Sequence, residues 1–280
     1  MPGMSTLSSL QIALIGGGNM ARGLIGGLLG KGASAAHITV AEPDEGTRAA
    51  LVRDFGVVAT ADNAAAVKGA RVVVLAVKPQ LMAEVARALA PVLRAAAPLV
   101  ISVAAGIRAD RLQTWIGSGI AVVRCMPNRP ALIGAGATGL YAAGLSDQNR
   151  SLAEQVLSST GVCLWVANEA DIDAVTALSG SGPAYFFRLA ELMAEAGIAQ
   201  GLEPAVARRL AAQTLAGAGQ LVAAESEPDL ARMRAEVTSK GGTTEAALKS
   251  FAAGGFDRLV ADAMAAAAHR SRELAEQFGS

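Results

Sequence analysis

The sequence predicts an α/β protein: an amino-terminal, doubly wound and mostly parallel sheet followed by an all-helical domain. Three observations predict it. Short β-branched runs alternate with helical patterns from Leu10 to about Val166, and several of those runs are apolar on both faces. After Asn168 the chain turns to Ala, Leu, Glu and Arg at helical spacing, with no convincing strand. The expected domains are therefore residues 1–168 and 169–280.

The predicted strands span residues 11–15, 38–41, 72–77, 99–104, 120–125 and 162–166. A strand covered by helices on both sides needs no polar face, and the run VVVLAV at 72–77 has none. In the helical half, Gly180–Pro183 is expected to interrupt the pattern early, with Pro183 opening a long helix. Gly201 and Pro204 separate that helix from the next, and residues 240–244 form a loop before a short helix.

Composition removes several functions. The 280 residues hold 24 basic and 24 acidic side chains, with no block of like charge, so neither nucleic acid nor an anionic membrane is an expected partner. Uncharged stretches fall short of the roughly 20 residues a membrane span needs. The first ten residues lack the basic cluster of a secretory signal, which makes the cytoplasm the expected compartment. Two cysteines, Cys125 and Cys163, allow one disulfide at most, and two histidines are too few for the usual zinc sets, so no metal is expected.

The first strand runs straight into Gly16, Gly17, Gly18, Asn19, Met20 and Ala21, the pattern G-x-G-x-x-[GA] between a strand and a helix. Gly16 permits a tight turn, Gly18 lets a pyrophosphate approach the backbone, and Ala21 allows close helix-to-strand contact. Glycine-rich turns also occur without a ligand, but at the first strand of an α/β domain this one is expected to be the turn of a Rossmann dinucleotide-binding domain, with phosphates on the helix amino terminus. Glu42 ends the second strand, where an acid hydrogen-bonds an adenosine ribose hydroxyl and repels a 2′-phosphate, which favours NAD. A solvated acid in the Glu42-Pro43-Asp44 turn explains it equally well, and Arg22 and Arg48 are available to a phosphate.

Lys78, one of five lysines, ends a central strand and precedes Pro79. A cation beside a helix's positive end is poorly placed unless an anion is near, so Lys78 is read as a cofactor contact in preference to a surface lysine. Ala104, Ala105 and Gly106 end the next strand with side chains small enough for a flat nicotinamide ribose, although the alanine-rich composition alone also supplies them. Asn128, after Cys125-Met126-Pro127, either holds an amide or ribose or simply makes a turn. In the helical half, the segments at 179–183 and 238–244 each set glycines and hydroxyls before a helix, suited to a carboxylate and a polar ring atom, or else to plain capping.

Several strings together resemble one family, the Δ1-pyrroline-5-carboxylate reductases. They are IGGGNMA at 15–21, LAVKPQ at 75–80, SVAAGI at 102–107, RCMPNRPALIGAGATG at 124–139, DAVTALSGSGPAYFF at 173–187 and VTSKGGTTEAAL at 237–248. The resemblance implies reduction of the cyclic imine 1-pyrroline-5-carboxylate to L-proline by NADPH, with NADH possible because of Glu42. It also implies a helical domain that dimerises by interleaving helices, dimers often assembling into rings of five. Carried over by motif, Gly16 to Met20, Asn63, Val77, Lys78, Ala104 and Ala105 contact the dinucleotide, and Glu42, Pro79 and Asn128 are expected beside them. Gly241, Gly242, Thr243 and Thr244 hold the substrate, with Glu169 and Glu236 near it, and Thr244 is the expected catalytic group. Lys240 and Arg129 depart from the Pro and Thr that many members carry.

Three rivals are weighed against this reading, the first being an imine reductase acting on other cyclic imines, which a side-by-side turnover assay separates. A β-hydroxyacid dehydrogenase needs a general base, usually a lysine on the first long helix of the second domain, and no lysine occurs between Asn168 and Val237. A silent dinucleotide-binding scaffold needs the glycine turn but not the hydroxyl-rich segments of the helical half.

Overall fold

A computed structural model describes residues 7–278, so the amino-terminal end read for a secretory signal lies partly outside the described residues. The first part of the chain alternates strand and helix: β1 (Ile12–Ile15), α1 (Asn19–Gly30), β2 (Ile38–Ala41), α2 (Glu45–Phe55), β3 (Val58–Thr60), α3 (Asn63–Val67), β4 (Val72–Leu75), α4 (Pro79–Ala96), β5 (Leu99–Ser102), α5 (Ala109–Ile116) and β6 (Val122–Met126). Then come β7 (Gly136–Tyr141), α6 (Asp147–Leu157) and β8 (Gly161–Trp165).

The eight strands form one sheet in the order β3-β2-β1-β4-β5-β6-β7-β8. Strands β1 to β6 run parallel, with Ile15 of β1 opposite Ala41 on one side and Leu75 on the other. β7 runs antiparallel to β6, with Leu140 opposite Cys125, and β8 is parallel to β7. The doubly wound, mostly parallel sheet expected from the sequence is present.

Its strands are apolar on both faces because each face feeds a separate core. Ile12 and Leu14 of β1 pack with Ile25, Leu28, Ile38 and Val72, while Ala13 and Ile15 pack with Val73, Met82 and Leu89 on the opposite face. Two strands escaped the sequence reading. β3 has three residues, none of them fully buried, and β7 reads GATGLY, whose glycines and small residues carry little strand signal.

The carboxy-terminal part is helical: α7 (Asp171–Val175), α8 (Gly182–Ala199), α9 (Pro204–Ala223), α10 (Leu230–Glu236), α11 (Thr243–Ala253) and α12 (Phe256–Phe278). The break expected at Gly180–Pro183 is not a loop. Residues Thr176–Gly180 form a π-turn, closed by the Ser181 N–H donating to the Thr176 carbonyl at 2.8 Å, and α8 already begins at Gly182. The break expected after that helix is present: Gly201 takes φ +101°, and Glu203 caps α9 ahead of Pro204.

By its contacts the chain forms two compact units. One holds the residues up to Ser181 together with those from Ala267 onward, and the other is Gly182–Ala266. The difference from a boundary at 168 has a local cause, since α7 and the π-turn pack against β6 and β7 and so belong with the sheet. The second unit, by itself, buries little more than Ala194, Ala207 and Ala211. Phe186, Phe187, Leu210, Leu221 and Leu259 stand in solvent, the last 66% exposed. An apolar surface of that extent marks an interface. Among the described residues no helix is long and apolar enough to cross a membrane, and no group of metal-ligating side chains forms.

Candidate functional site

The glycine turn is built by close packing on one side and open space on the other. Gly16 has φ +100°, its N–H donates to the Ala41 carbonyl at 2.8 Å, and a Cβ on it would lie 2.7 Å from the Ala76 carbonyl oxygen. Glycine is therefore required for β1 to turn against the end of β4. Gly18 is different: at φ −70° any residue fits, and a Cβ would meet nothing within 4 Å. That Cβ would project into the space before α1, where a phosphate group must come close to the backbone.

The helix ends point the same way. α2, α3, α6, α9 and α10 have side-chain caps from Asp44, Asp62, Ser146, Glu203 and Asp229. Hydrogen bonds from Thr47 to the Asp44 cap hold its carboxyl below the usual carboxylate range. α1 opens on Gly18, α4 on Lys78 and α11 on Gly242, none with a side-chain cap; α4 begins at Pro79, which has no N–H, so it is at α1 and α11 that the first N–H groups remain open to an anion. All three starts carry motifs assigned to ligands, as does the segment at 179–183 at the start of α8. The uncapped turn and the Gly18 space together fit a dinucleotide pyrophosphate.

Glu42 closes the other side of the turn. Its Oε2 accepts from the Gly17 N–H at 2.8 Å and its Oε1 from the Asp44 N–H at 3.1 Å. Arg48 braces the same corner, donating to the carbonyls of Glu42 (2.8 Å) and Pro43 (2.7 Å). Arg22 pairs with Asp54 and lies over the Phe55 ring. Lys78 is exposed and makes no ion pair among the described residues, and Pro79 occupies the first helical position, where a missing N–H is harmless. Asn63 opens α3, and the buried Ala104 and half-buried Ala105 follow β5. Gly16 to Met20, Glu42, Asn63, Val77 to Pro79, Ala104 and Ala105 thus share the carboxyl edge of β1 to β5, where open α/β sheets bind ligands.

Two expected site residues in this unit already have structural partners. Asn128 bridges the fold, its Nδ2 donating to the Ser179 carbonyl at 3.0 Å while its Oδ1 accepts from the Ala137 N–H at 2.9 Å. Glu169 is 8% exposed and accepts from the Ala109 N–H at 2.6 Å, capping α5 from outside that helix. It also pairs with Arg124 at 3.1 Å and Arg108 at 3.2 Å. Both residues are spoken for by the fold, because a buried polar group must be paired.

In the second unit, Glu236 is exposed and paired with Arg232. The turn before α11 is tight: Gly241 has φ +74°, and a Cβ on Gly242 would lie 2.5 Å from Ser239 Oγ. Glu245 reaches back to the Gly241 N–H at 2.7 Å. Thr243 and Thr244 are the first two residues of α11, so the expected loop ends at Gly242.

The sequence reading missed Arg124 and its network. Arg124 lies in β6, 2% exposed, between apolar neighbours. A lone cation inside an otherwise apolar strand is a readable signal, since it demands a buried acid. Asp173 and Ser271 were likewise missed; they hydrogen-bond at 2.6 Å in the first unit. The cysteines are both free thiols, and burial pushes Cys163 up to about 11 and Cys125 further still.

Comparison with known proteins bears on the whole chain. Residues 169–274 match the family model described as pyrroline-5-carboxylate reductase dimerisation, and residues 11–106 match that described as NADP oxidoreductase, coenzyme F420-dependent. A pyrroline-5-carboxylate reductase of Pseudomonas aeruginosa is 51% identical over 98% of this chain and 100% of its own length. The Haemophilus influenzae protein of the same name is 43% identical over 95% and 98%. Among solved structures, a pyrroline-5-carboxylate reductase of Coxiella burnetii superposes with a TM-score of 0.91 at 37% identity, covering 95% of this chain and 98% of that one. The Plasmodium falciparum pyrroline carboxylate reductase with NADP bound gives 0.81 at 25% identity, covering 98% and 100%.

Proposed function

The chain belongs to the pyrroline-5-carboxylate reductase family, and we propose from that premise that it reduces 1-pyrroline-5-carboxylate to L-proline with NAD(P)H, as a homo-oligomer. The observation that carries the reading is the pairing of uncapped helix starts with the family's motifs, at α1 in the first unit and at α11 in the second. When bound, the reduced nicotinamide supplies the hydride. The uncapped N–H groups of α1 and the space at Gly18 receive its pyrophosphate, and Ala104 and Ala105 leave room for the nicotinamide ribose.

In the second unit, the N–H groups at Gly242 to Thr244 receive the substrate carboxylate, and the Thr244 hydroxyl hydrogen-bonds the ring nitrogen. A protonated imine already carries the positive charge that draws hydride, and its nitrogen already holds the proton that the product amine keeps. Positioning then supplies much of the rate, and no ionised acid is needed beside the reacting carbon. This accords with a chain of two histidines.

The second unit's exposed apolar helices support a dimer, with a mostly apolar groove between α8 and α9 lined by Phe187, Ala194, Ile198 and Leu215 and edged by Glu191, Glu195 and Arg208. A ring of five dimers and a cytoplasmic location follow from the family resemblance and belong to the same proposal. The test is oxidation of NADPH or NADH on adding 1-pyrroline-5-carboxylate, with proline as the product. Dinucleotide binding without oxidation would overturn it in favour of a silent scaffold.

A further inference from the structure

We infer that this chain selects NADH over NADPH, and that Glu42, set by the backbone of Gly17 and Asp44, is the residue that selects; the inference rests on the reductase reading. The two cofactors differ by one phosphate on the adenosine ribose. A ribose 2′-hydroxyl donates a hydrogen bond to a carboxylate, whereas a 2′-phosphate brings a negative charge of about −2 against it.

The geometry fixes the carboxylate where that difference is felt. Glu42 follows the last residue of β2, and its N–H donates to the Thr60 carbonyl at 2.9 Å, tying the backbone to the end of β3. Its side chain turns to the glycine turn and accepts one N–H on each oxygen, from Gly17 and Asp44. A carboxylate has about four lone-pair positions, so each oxygen keeps one for a ribose hydroxyl. Two N–H donors hold the group in place, and moving it away from a phosphate breaks both bonds.

Of the two arginines that a 2′-phosphate would recruit, Arg22 is paired with an acid and Arg48 is held by backbone carbonyls at the Glu42 corner. Arg48 spends its Nη1 on the carbonyls of Glu42 and Pro43, and Arg22 pairs with Asp54 and stacks on Phe55. Asp44 and Glu45 add further negative charge at the start of α2. Like charges a few ångströms apart repel, and of the nearby cations only Arg48 stands at this corner among the described residues, its Nη1 held on the two backbone carbonyls.

Equilibrium titration of the full-length protein with NADH and with NADPH, followed by nicotinamide fluorescence and by thermal shift, tests this without turnover. ADP and 2′-phospho-ADP serve as probes of the adenosine end alone. NADH is expected to bind at least about tenfold tighter than NADPH, with the same order for the ADP pair. Glu42→Gln, which keeps the shape and removes the charge, is expected to narrow that ratio. Equal or tighter NADPH binding by the unmutated chain overturns the inference and leaves the reductase reading standing. A ratio unchanged in Glu42→Gln overturns the role of Glu42. Failure of the unmutated chain to bind either dinucleotide overturns the reductase reading and the inference together. The unmutated ratio decides the preference even where Glu42→Gln does not fold.

Discussion

Asn128 Nδ2 donates to the carbonyl oxygen of Ser179 at 3.0 Å. In a helix that carbonyl would receive the N–H four residues on, but the residue there is Pro183, which has none. The side chain of one motif therefore fills the vacancy that the proline of another creates, beside the π-turn at Thr176–Gly180. Asn128→Ala leaves that carbonyl and the Ala137 N–H without partners and is expected to destabilise the fold by about 2 kcal/mol. Chemical denaturation measures this. A variant of normal stability with weakened dinucleotide binding would instead restore the ribose or amide contact expected of Asn128.

Glu169 is the hub of a buried ion-pair network, so its removal is expected to act on stability before substrate. Glu169→Gln leaves Arg124, 2% exposed, without its carboxylate. Breaking a buried pair from one side costs about 3–5 kcal/mol. The double variant Arg124→Met with Glu169→Leu should be milder than either single change. Folded Glu169→Gln enzyme with KM for the imine unchanged fits this account; KM raised manyfold at full stability would return Glu169 to the substrate.

Gly16 and Gly18 are two positions apart and are expected to fail in different ways. Gly16→Ala places a Cβ 2.7 Å from the Ala76 carbonyl at φ +100°, which strains the backbone by about 1–2 kcal/mol or more, so the melting temperature falls. Gly18→Ala meets nothing and should melt normally, yet lose dinucleotide affinity because its methyl enters the phosphate's space. Thermal denaturation and dinucleotide titration of the two proteins separate the cases. Unimpaired binding by Gly18→Ala would remove the pyrophosphate from that space.

Much of this was legible in sequence, for physical reasons that vary by element. The glycine turn was readable because Gly16 answers a backbone demand that no other residue meets, and β4 because VVVL is buried on both faces. β7 was missed because its glycines pack against neighbours: a Cβ on Gly139 would strike Val175 at 2.6 Å, a tertiary contact with no local signature. The break expected at Gly180–Pro183 is instead bridged by a π-turn and a distant asparagine, while Pro183 stands in the first turn of the long helix as expected. Glu42 left two readings open, since its hydrogen bond to Gly17 spans 25 residues and appears only on folding.

Cys125 and Cys163 should be inert in the folded chain. The thiolate is the reactive form, and burial raises Cys163 to about 11 and Cys125 further. Near neutral pH a brief exposure to iodoacetamide should label neither cysteine natively and both after unfolding, read by mass spectrometry. The linkage has a definite sign: above the ordinary thiol value of 9.0 the unfolded chain releases its protons first, so these groups lower stability as pH rises. Rapid native labelling at Cys163 would mean that β8 opens readily.

Thr244 is the second residue of α11, half-buried, directly after a turn that has no side-chain cap. A threonine early in a helix contributes little to helix stability through its hydroxyl unless that hydroxyl caps, and the N-cap here is Gly242. Thr244→Ala therefore keeps the backbone N–H groups that receive a carboxylate and removes the group assigned to the ring nitrogen. The expected result is an unchanged melting temperature, a KM within a few-fold, and kcat lowered about tenfold or more, the loss of one oriented hydrogen bond of about 1.4 kcal/mol in the transition state. Thr244→Ser, which restores the oxygen without the methyl, should recover most of the rate. Full turnover by Thr244→Ala would move the contact to another group, whereas a raised KM with kcat intact would confine Thr244 to binding.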